Sequence, residues 1–301
     1  MSAIKSPIPK RLPWSFDEPT ELIAYKNVHT VCEESRCPNR NECSSWGVAT
    51  FLIGGRECTR ACKFCHVATG KPIPLSHIVD REHDDIINAA KARDYKYLVI
   101  TSVARDDDEA GLAAHFARIT RSLNALGVTV ELLIPDFHAR PEHLRVVADA
   151  KPAVIAHNVE TVERLSPYIR PQAKYQRSLA FFNFFREAYP HIVRKSGFMV
   201  GLGEERSEIS TLLSDMKRAA VEIVTVGQYL RPTTKQAPLL KNYPMTEFLE
   251  IESEIETYGF LAWEVGPYVR SSYMAETTMA KLKAELVRRN SHIHDDTLHL
   301  K

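Results

Sequence analysis

The sequence predicts an α/β fold, built as a partial (β/α)6 barrel with extensions at both termini. Apolar runs rich in β-branched residues alternate with longer segments of helical periodicity, as expected of βα units. The 301 residues also exceed a barrel of roughly 250 residues by enough to add short extensions. Right-handed crossovers place successive parallel strands side by side, which favours a barrel. A doubly wound open sheet is the alternative.

Each element follows from its run of residues. The apolar runs predict six strands: Ala49–Ile53, Tyr97–Ser102, Thr129–Ile134, Val154–His157, Arg194–Val200 and Glu222–Gln228. The periodic segments predict the helices Asp80–Arg93, Gly111–Leu126, Pro141–Asp149, Ala173–Ala188 and Glu205–Ala219. Residues 1–47 then form an N-terminal extension, residues 48–266 the barrel and residues 267–301 a C-terminal extension. In such barrels the chemistry lies at the carboxyl ends of the strands.

Charge and hydropathy exclude several classes of protein. The 39 basic and 38 acidic side chains nearly cancel, so no global field favours nucleic acid or a membrane surface. The longest apolar runs are far shorter than the ~20 residues of a membrane span, and the first ten residues lack the apolar core of a secretory signal. We therefore expect a cytoplasmic protein. Its six cysteines need an explanation other than disulfides, because cytoplasmic thiols stay reduced.

Three of the cysteines, Cys58, Cys62 and Cys65, follow the first predicted strand with the spacing C-x3-C-x2-C. A four-iron cluster takes one cysteine per iron, so three neighbouring ligands leave one iron open to a small molecule. Phe64 stands inside this triad and would pack over the cluster or its ligand, or else serve as an ordinary core aromatic.

The other three, Cys32, Cys37 and Cys43, have the spacing C-x4-C-x5-C. Alone, they could bind zinc with a histidine such as His29 or His66. The second triad beside them makes a second iron–sulfur cluster the favoured interpretation.

With these triads, the element Arg270-Ser271-Ser272-Tyr273 makes the chain resemble the lipoyl synthase family of the radical S-adenosylmethionine superfamily. The resemblance covers roughly residues 28–275. It includes the segments Thr101–Asp107, Glu131–Phe137, His157–Thr161, Gly201–Glu204 and Gly227–Leu230. The tail after Tyr273 is longer than expected for the family, and its histidines (His292, His294 and His299) most simply belong to a solvated end.

The resemblance implies a radical enzyme with two [4Fe-4S] clusters and S-adenosyl-L-methionine. The open iron of the Cys58–Cys62–Cys65 cluster would bind the cofactor, and a 5′-deoxyadenosyl radical would activate an unreactive carbon. The first triad would hold an auxiliary cluster with Ser272, rather than Ser271, as its fourth ligand. Alternatively, the serine caps a helix over Tyr273–Arg289. The family inserts sulfur from that cluster at C6 and C8 of a protein-bound octanoyl-lysine.

Polar residues at the strand ends are candidate contacts to the cofactor. Arg105 could hold a carboxylate through its guanidinium, and Asn158 with Glu160 could hold ribose hydroxyls or simply form a turn. Arg170 and Lys195 are possible partners of the cofactor's carboxylate, with surface roles as the alternative. Gly201-x-Gly203 could allow close backbone approach to the cofactor, although a plain strand-to-helix turn explains it nearly as well. Asp107 and Asp108 are expected to cap the next helix.

The implied partners are an octanoylated lipoyl carrier domain or glycine cleavage H protein, and an electron donor such as ferredoxin or flavodoxin. We expect a monomer that binds neither nucleic acid nor membrane. Two other functions use similar residues. A methylthiotransferase also carries an auxiliary cluster, but the serine element argues against it. An iron–sulfur redox or iron-sensing protein needs no open iron.

Overall fold

The computed structural model of the chain describes residues 29–35, 37, 39 and 50–282. Its strands, numbered in chain order, are β1 (His29–Thr30), β2 (Thr50–Ile53), β3 (Glu57–Cys58), β4 (Ala68–Thr69), β5 (Tyr97–Ser102), β6 (Thr129–Leu133), β7 (Val154–Ala156), β8 (Val193–Val200), β9 (Ile223–Gln228) and β10 (Ala262–Gly266). The α-helices span Val31–Glu34, Val79–Arg93, Glu109–Ala125, Pro141–Ala148, Ser166–Ile169, Tyr175–Ala188, Arg206–Arg218 and Met245–Thr257, and residues 275–282 are also helical.

One sheet organises the described residues, with the strand order β1-β2-β5-β6-β7-β8-β9-β10. Every neighbouring pair from β2 onward is parallel, and β1 is antiparallel to β2 at the edge. The order follows the chain without the reversal of a doubly wound sheet. The predicted α/β fold with a partial barrel is therefore confirmed.

The helices cover the sheet with apolar faces at helical spacing. In helix Glu109–Ala125, Leu112, Phe116 and Leu123 are fully buried. Asp108 caps this helix as predicted, because its Oδ1 accepts a hydrogen bond from the Gly111 N–H at 2.9 Å. No helix in the described part of the chain is long and apolar enough to cross a membrane.

The sheet has a seventh parallel strand that the sequence did not predict. Strand β10 and the preceding helix Met245–Thr257 complete a further unit after β9. Strand β10 is only five residues long and lies at the sheet edge, where Trp263, Glu264 and Val265 are half-buried. Its sequence therefore lacks the continuous apolar run that marks a central parallel strand.

The C-terminal extension returns along the barrel. From residues 269–273 at the carboxyl end, the chain turns into the helical residues 275–282. There Met279 and Leu282 pack against Val154, Ile223 and Ala262, the first residues of three strands. The sequence predicted a helix over Tyr273–Arg289; its start is two residues later, and its residues beyond 282 lie outside the described ones.

Candidate active site

A cavity of about 360 Å³ lies where the parallel strands end. Three distant parts of the chain line it: the N-terminal segment, the loops that follow the strands, and the turn at residues 269–273. It thereby brings together most of the residues singled out from the sequence. These include Cys32, Cys37, Cys65, Asn158, Ser271 and Ser272.

The second cysteine triad lies in the loop that follows β2. Cys58 ends strand β3, and the β3–β4 ladder holds the two ends of the loop together. The Sγ of Cys58 accepts hydrogen bonds from the backbone N–H groups of Ala104 at 3.3 Å and Arg60 at 3.4 Å. The Cys65 N–H donates to the carbonyl of Cys62 at 3.1 Å. Backbone hydrogen bonds thus fix the loop at several points along the triad.

The sulfur atoms of this loop are too widely spaced for a single zinc ion. Cys58, Cys62 and Cys65 are all described, yet their Sγ atoms do not all lie within 4.8 Å of one another. A tetrahedral zinc ion with bonds of ~2.3 Å holds its sulfurs ~3.8 Å apart. A four-iron cluster takes one cysteine per iron and so suits wider spacing.

Burial governs the protonation of two of these thiols. It raises the pKa of Cys62 to about 11 and that of Cys65 to about 12. Both thiols therefore stay protonated at neutral pH in the protein alone, although Arg170 and Arg60 oppose the effect of burial on Cys62. A bound metal supplies a positive charge and releases the protons. The chemistry of this donor set therefore suits a metal centre.

Arg60, within the triad, anchors the loop to two neighbouring strand ends. Its buried guanidinium binds both carboxylate oxygens of Asp106 and also Asp136, in each case with a contact of 2.7 Å. Arg177 holds the other oxygen of Asp136 at 2.6 Å. Burial raises the pKa of the Asp136 carboxyl, but neighbouring His157 and the two arginines outweigh it and hold that pKa far below its usual range. Reasoning from the sequence missed this network.

Cys32 and Cys37 of the first triad line the same cavity from the N-terminal side. Cys32 lies in the helical turn Val31–Glu34, which Thr30 caps, and the Cys37 N–H donates to the Cys32 carbonyl at 2.9 Å. A hydrogen bond with Cys32, helped by the charge of Arg270, lowers the pKa of Cys37 to about 6. Cys43 lies outside the described residues, as do His292, His294 and His299.

The two adjacent serines of the turn have different surroundings. Ser271 accepts a hydrogen bond from the Nδ2 of Asn158 at 2.7 Å. Ser272 also lines the cavity, and within residues 29–35, 37, 39 and 50–282 its hydroxyl has no hydrogen-bond partner. It does not cap the following helix, whose first residue is Ala275. Ser272 is thus the serine whose oxygen is available inside the cavity.

Two further features hold the turn against the barrel. The buried Asn39, next to the first triad, donates from Nδ2 to the carbonyl of Tyr268 at 2.5 Å. On the other side, Gly227 in β9 lies so close that a Cβ there would be 2.1 Å from the carbonyl oxygen of Val269. Only glycine fits this approach. The N-terminal and C-terminal extensions therefore meet at one edge of the cavity.

Asn158 and Glu160 follow β7 and line the cavity. Glu160 has a φ of +67°, a left-handed conformation that is uncommon for a residue with a side chain, and its N–H donates to the Gly197 carbonyl at 3.0 Å. Burial raises the pKa of its carboxyl, opposed by Arg170, Asn158 and Arg270. Phe64 lines the cavity too, against the cluster of Ile169, Leu202, Tyr229 and Ala237.

Arg105, a candidate cofactor contact, does not line the cavity. Its guanidinium is buried and forms four hydrogen bonds within the protein. Nε and Nη2 bind the two oxygens of Asp107 at 2.9 and 2.8 Å, and carbonyls of Gly54 and Ile73 accept from Nη1 and Nη2. Arg105 therefore joins the loops after β2 and β5. Asp107 is its ion-pair partner and not a helix cap.

Lys195 and Arg170, the candidate partners of the cofactor's carboxylate, both bind groups of the protein itself. Lys195, in β8, forms a buried ion pair with Glu131 of β6 at 2.8 Å, and the Tyr97 hydroxyl donates to the same carboxylate at 2.6 Å. Arg170 is buried and donates to the Val159 carbonyl at 2.6 Å. Neither residue has the predicted surface role, and neither lines the cavity. The sequence shows that a charged residue lies in a strand or follows one, but it does not show which residue binds that charge in the folded protein.

The Gly201-x-Gly203 segment is a turn stabilised by its own sequence. The carboxylate of Glu204 accepts hydrogen bonds from the backbone N–H groups of Gly201 at 2.6 Å and Leu202 at 2.9 Å. A Cβ at Gly201 would be 2.2 Å from the Nε2 of Gln228, so the space beside this glycine is filled by the protein itself. The plain strand-to-helix turn explains the motif.

Comparison with known proteins gives consistent matches. The model of the radical SAM superfamily matches residues 52–216. A lipoyl synthase of Caldicellulosiruptor bescii is 43% identical over 284 residues, which cover 92% of this chain and 97% of that protein. A lipoyl synthase of Bacillus cereus is 43% identical over 268 residues, covering 87% of this chain and 89% of that protein.

Solved structures share the fold at low sequence identity. Streptococcus suis SuiB bound to S-adenosylmethionine superimposes with a TM-score of 0.55 at 11% identity, and the match covers 73% of this chain and 50% of SuiB. Methylornithine synthase gives a TM-score of 0.53 at 14% identity, covering 68% of this chain and 62% of that protein. This chain thus spans about half of the first structure and less than two thirds of the second.

Proposed function

The chain belongs to the lipoyl synthase family of the radical S-adenosylmethionine superfamily, and on that premise we propose which of its residues perform the reaction. Family membership makes it a sulfurtransferase that inserts sulfur at C6 and C8 of a protein-bound octanoyl-lysine. The superfamily implies one [4Fe-4S] cluster and S-adenosylmethionine. The observation that carries the assignment of residues is that Cys32 and Cys37 of the first triad, Cys65 of the second triad, and Ser272 all line a single cavity.

We assign Cys58, Cys62 and Cys65 to the superfamily's cluster. Their wide separation and their burial support this assignment, as does the anchoring of the loop by Arg60. When bound, the cluster supplies the electron that cleaves S-adenosylmethionine to the radical that removes hydrogen from the substrate. Backbone hydrogen bonds and Arg60 hold the loop in place, and its Cys65 lines the cavity in which S-adenosylmethionine would bind.

Cys32, Cys37 and Cys43 with Ser272 form the proposed site of a second, auxiliary [4Fe-4S] cluster that provides sulfur. Cys37 and Ser272 both line the cavity although 235 positions separate them, and the Asn39–Tyr268 hydrogen bond supports their approach. Ser272 is favoured over Ser271 as the oxygen ligand because its hydroxyl has no hydrogen-bond partner in the described part of the chain.

Phe64, Asn158 and Glu160 are the proposed contacts to S-adenosylmethionine. Each lines the cavity beside Cys65. Phe64 offers an aromatic face, while the amide of Asn158 and the carboxylate of Glu160 offer hydrogen bonds to a polar ligand. Arg170, which is buried behind Glu160, acts through its charge on that carboxyl. Apolar walls contributed by Leu133 and Phe198 keep water from the reacting carbon.

The remaining assignments follow from the same premise. The substrate is an octanoylated lipoyl carrier domain or glycine cleavage H protein, and ferredoxin or flavodoxin delivers the electrons. The enzyme acts as a cytoplasmic monomer. Residues 1–47 supply the cysteines of the auxiliary site, residues 48–266 form the catalytic barrel, and residues 267–301 supply Ser272.

Metal analysis and product mass spectrometry test the proposal together. Anaerobically purified protein should hold about eight irons and eight acid-labile sulfides per chain, as two four-iron clusters require. Incubation with an octanoyl-lysine peptide, S-adenosylmethionine and reductant should add two sulfur atoms to the peptide. A stable zinc content with little sulfide would contradict the clusters. A methylthio product would indicate the other auxiliary-cluster chemistry.

A further inference from the structure

Three exposed cations on and beside the cysteine loop have no acidic partner among the described residues, and one of them, Arg231, lines the cavity. Lys63, Arg231 and Lys235 are exposed, and none of them forms an ion pair with any residue that the structure describes. The Arg231 guanidinium binds only carbonyls of its own loop, those of Thr234 at 2.6 Å and Gln236 at 2.7 Å. None of the described residues therefore neutralises its charge.

The three cations lie on two segments that are bonded to each other. The Ala237 N–H donates to the carbonyl of Lys63 at 2.7 Å, and the Nε2 of Gln236 donates to the carbonyl of Cys65 at 3.1 Å. Loop 231–237 thus packs directly on the cysteine loop, and its Arg231 lines the cavity. We call Lys63, Arg231 and Lys235 the cationic rim.

An exposed aromatic ring adjoins the rim. Tyr168 is 55% exposed, and the Nζ of Lys63 stands 5.2 Å from its ring centroid. Tyrosine is enriched at protein interfaces, where its ring gives a large contact area at low entropy cost.

A substrate carried by a protein has to approach the cavity, which Arg231 of the cationic rim lines. The reacting carbons hang from one lysine side chain, and this arm reaches the cavity only when the carrier's backbone lies at the mouth. We infer that the cationic rim docks an acidic face of the carrier domain next to its octanoylated lysine. The inference rests on the proposed function, because it takes a protein-bound octanoyl-lysine as the substrate.

The charge balance of the chain supports a local role for these cations. Its formal net charge is only +1, so a carrier is not attracted by the protein as a whole. Opposite charges at an interface rim chiefly raise the association rate and set its salt dependence. Since the Debye length is ~10 Å at 0.1 M salt, this attraction should be strong at low salt and weak at high salt.

The test compares charge reversal at the rim with the same change at the other end of the barrel. Lys235→Glu and the double variant Lys63→Glu/Lys235→Glu are made in the holoenzyme. Lys91→Glu is the matched control, because Lys91 is exposed, has no ion pair among the described residues and ends a helix at the side away from the mouth. Association with a fluorescent octanoylated lipoyl domain is measured from low to high salt, and turnover is measured on a short neutral octanoyl-lysine peptide.

We expect the rim variants to associate with the lipoyl domain about tenfold more slowly at low salt, with a flatter salt dependence. Lys91→Glu should match the wild type, and Lys235→Glu should convert the peptide at the wild-type rate. Equal association by rim variants and wild type, or equal losses in Lys91→Glu, would overturn the inference. Tighter binding of single-stranded DNA than of the domain would overturn it in favour of nucleic acid. Failure of the wild type to convert the peptide would instead refute the proposed function.

Discussion

Asn158 donates a hydrogen bond from its Nδ2 to the Ser271 hydroxyl at 2.7 Å, and this bond distinguishes two adjacent serines. Ser271 is tied to the loop after β7. Ser272, the next residue, lines the cavity with no hydrogen-bond partner among the described residues. A metal ligand needs an oxygen that the protein has not already engaged, so the bond favours Ser272 as the ligand and gives Ser271 the role of positioning the turn.

The two serines should therefore respond differently to substitution. Ser272→Ala should weaken retention of the auxiliary cluster, so we expect less iron per chain and less lipoyl product, with 5′-deoxyadenosine release preserved. Ser271→Ala loses one hydrogen bond, worth about 1 kcal/mol, and should be milder in both measurements. Iron analysis and single-turnover product assays check this order. Larger losses in Ser271→Ala would show that the ligand has been assigned to the wrong serine.

Removing the Arg60 guanidinium should loosen the cysteine loop. Arg60→Met leaves the buried carboxylate of Asp136 with Arg177 alone, and breaking such a buried pair costs about 3–5 kcal/mol. We expect a lower free energy of unfolding and poor retention on gel filtration of the cluster assigned to Cys58, Cys62 and Cys65. Arg60→Lys should recover only part of both, because an ammonium group cannot bind Asp106 with two parallel bonds. Full retention of the cluster in Arg60→Met would contradict the anchoring role.

Lys195, a candidate cofactor contact, forms a buried ion pair that gives it a structural role. Lys195→Met leaves Glu131 buried without its cation, so the protein should lose about 3–5 kcal/mol of stability. The KM for S-adenosylmethionine should nevertheless stay at the wild-type value in the fraction that folds. The double variant Lys195→Met/Glu131→Leu should recover much of the stability, since it removes both charges. A raised KM at unchanged stability would restore Lys195 as a cofactor contact.

The fold was largely predictable from the sequence because buried parallel strands are recognisable as apolar runs. Strand β5 has its predicted limits, Tyr97 and Ser102, since both faces of this strand are covered and its residues form one apolar run. Strand β10 escaped prediction because the sheet edge tolerates Glu264, whose carboxylate accepts hydrogen bonds from Thr278 and Lys281. Edge strands depend on partners that are distant in sequence.

Charged residues were the least predictable part of the site. Arg105 and Lys195 were both expected to face a cofactor, yet each is satisfied by a carboxylate, Asp107 and Glu131 respectively. Arg60 was overlooked although it stands between two cysteines of the triad. Its partners Asp106 and Asp136 follow different strands, and only the folded sheet brings them to the same place. The spacing of residues in a sequence can indicate which of them bind one metal centre. It does not indicate which charged residues from different strands form ion pairs.

The two cysteine triads should perform separate functions, one in the cleavage of S-adenosylmethionine and the other in the supply of sulfur. The most direct test replaces Cys32, Cys37 and Cys43 together and measures 5′-deoxyadenosine and lipoyl product from the same single-turnover reaction. We expect this variant to release 5′-deoxyadenosine at the wild-type rate and to form no lipoyl product. Cys58, Cys62 and Cys65 would keep their cluster, whereas the source of sulfur would be lost. The matched variant without Cys58, Cys62 and Cys65 should make neither. Lipoyl product from the variant that lacks the first triad would contradict the account.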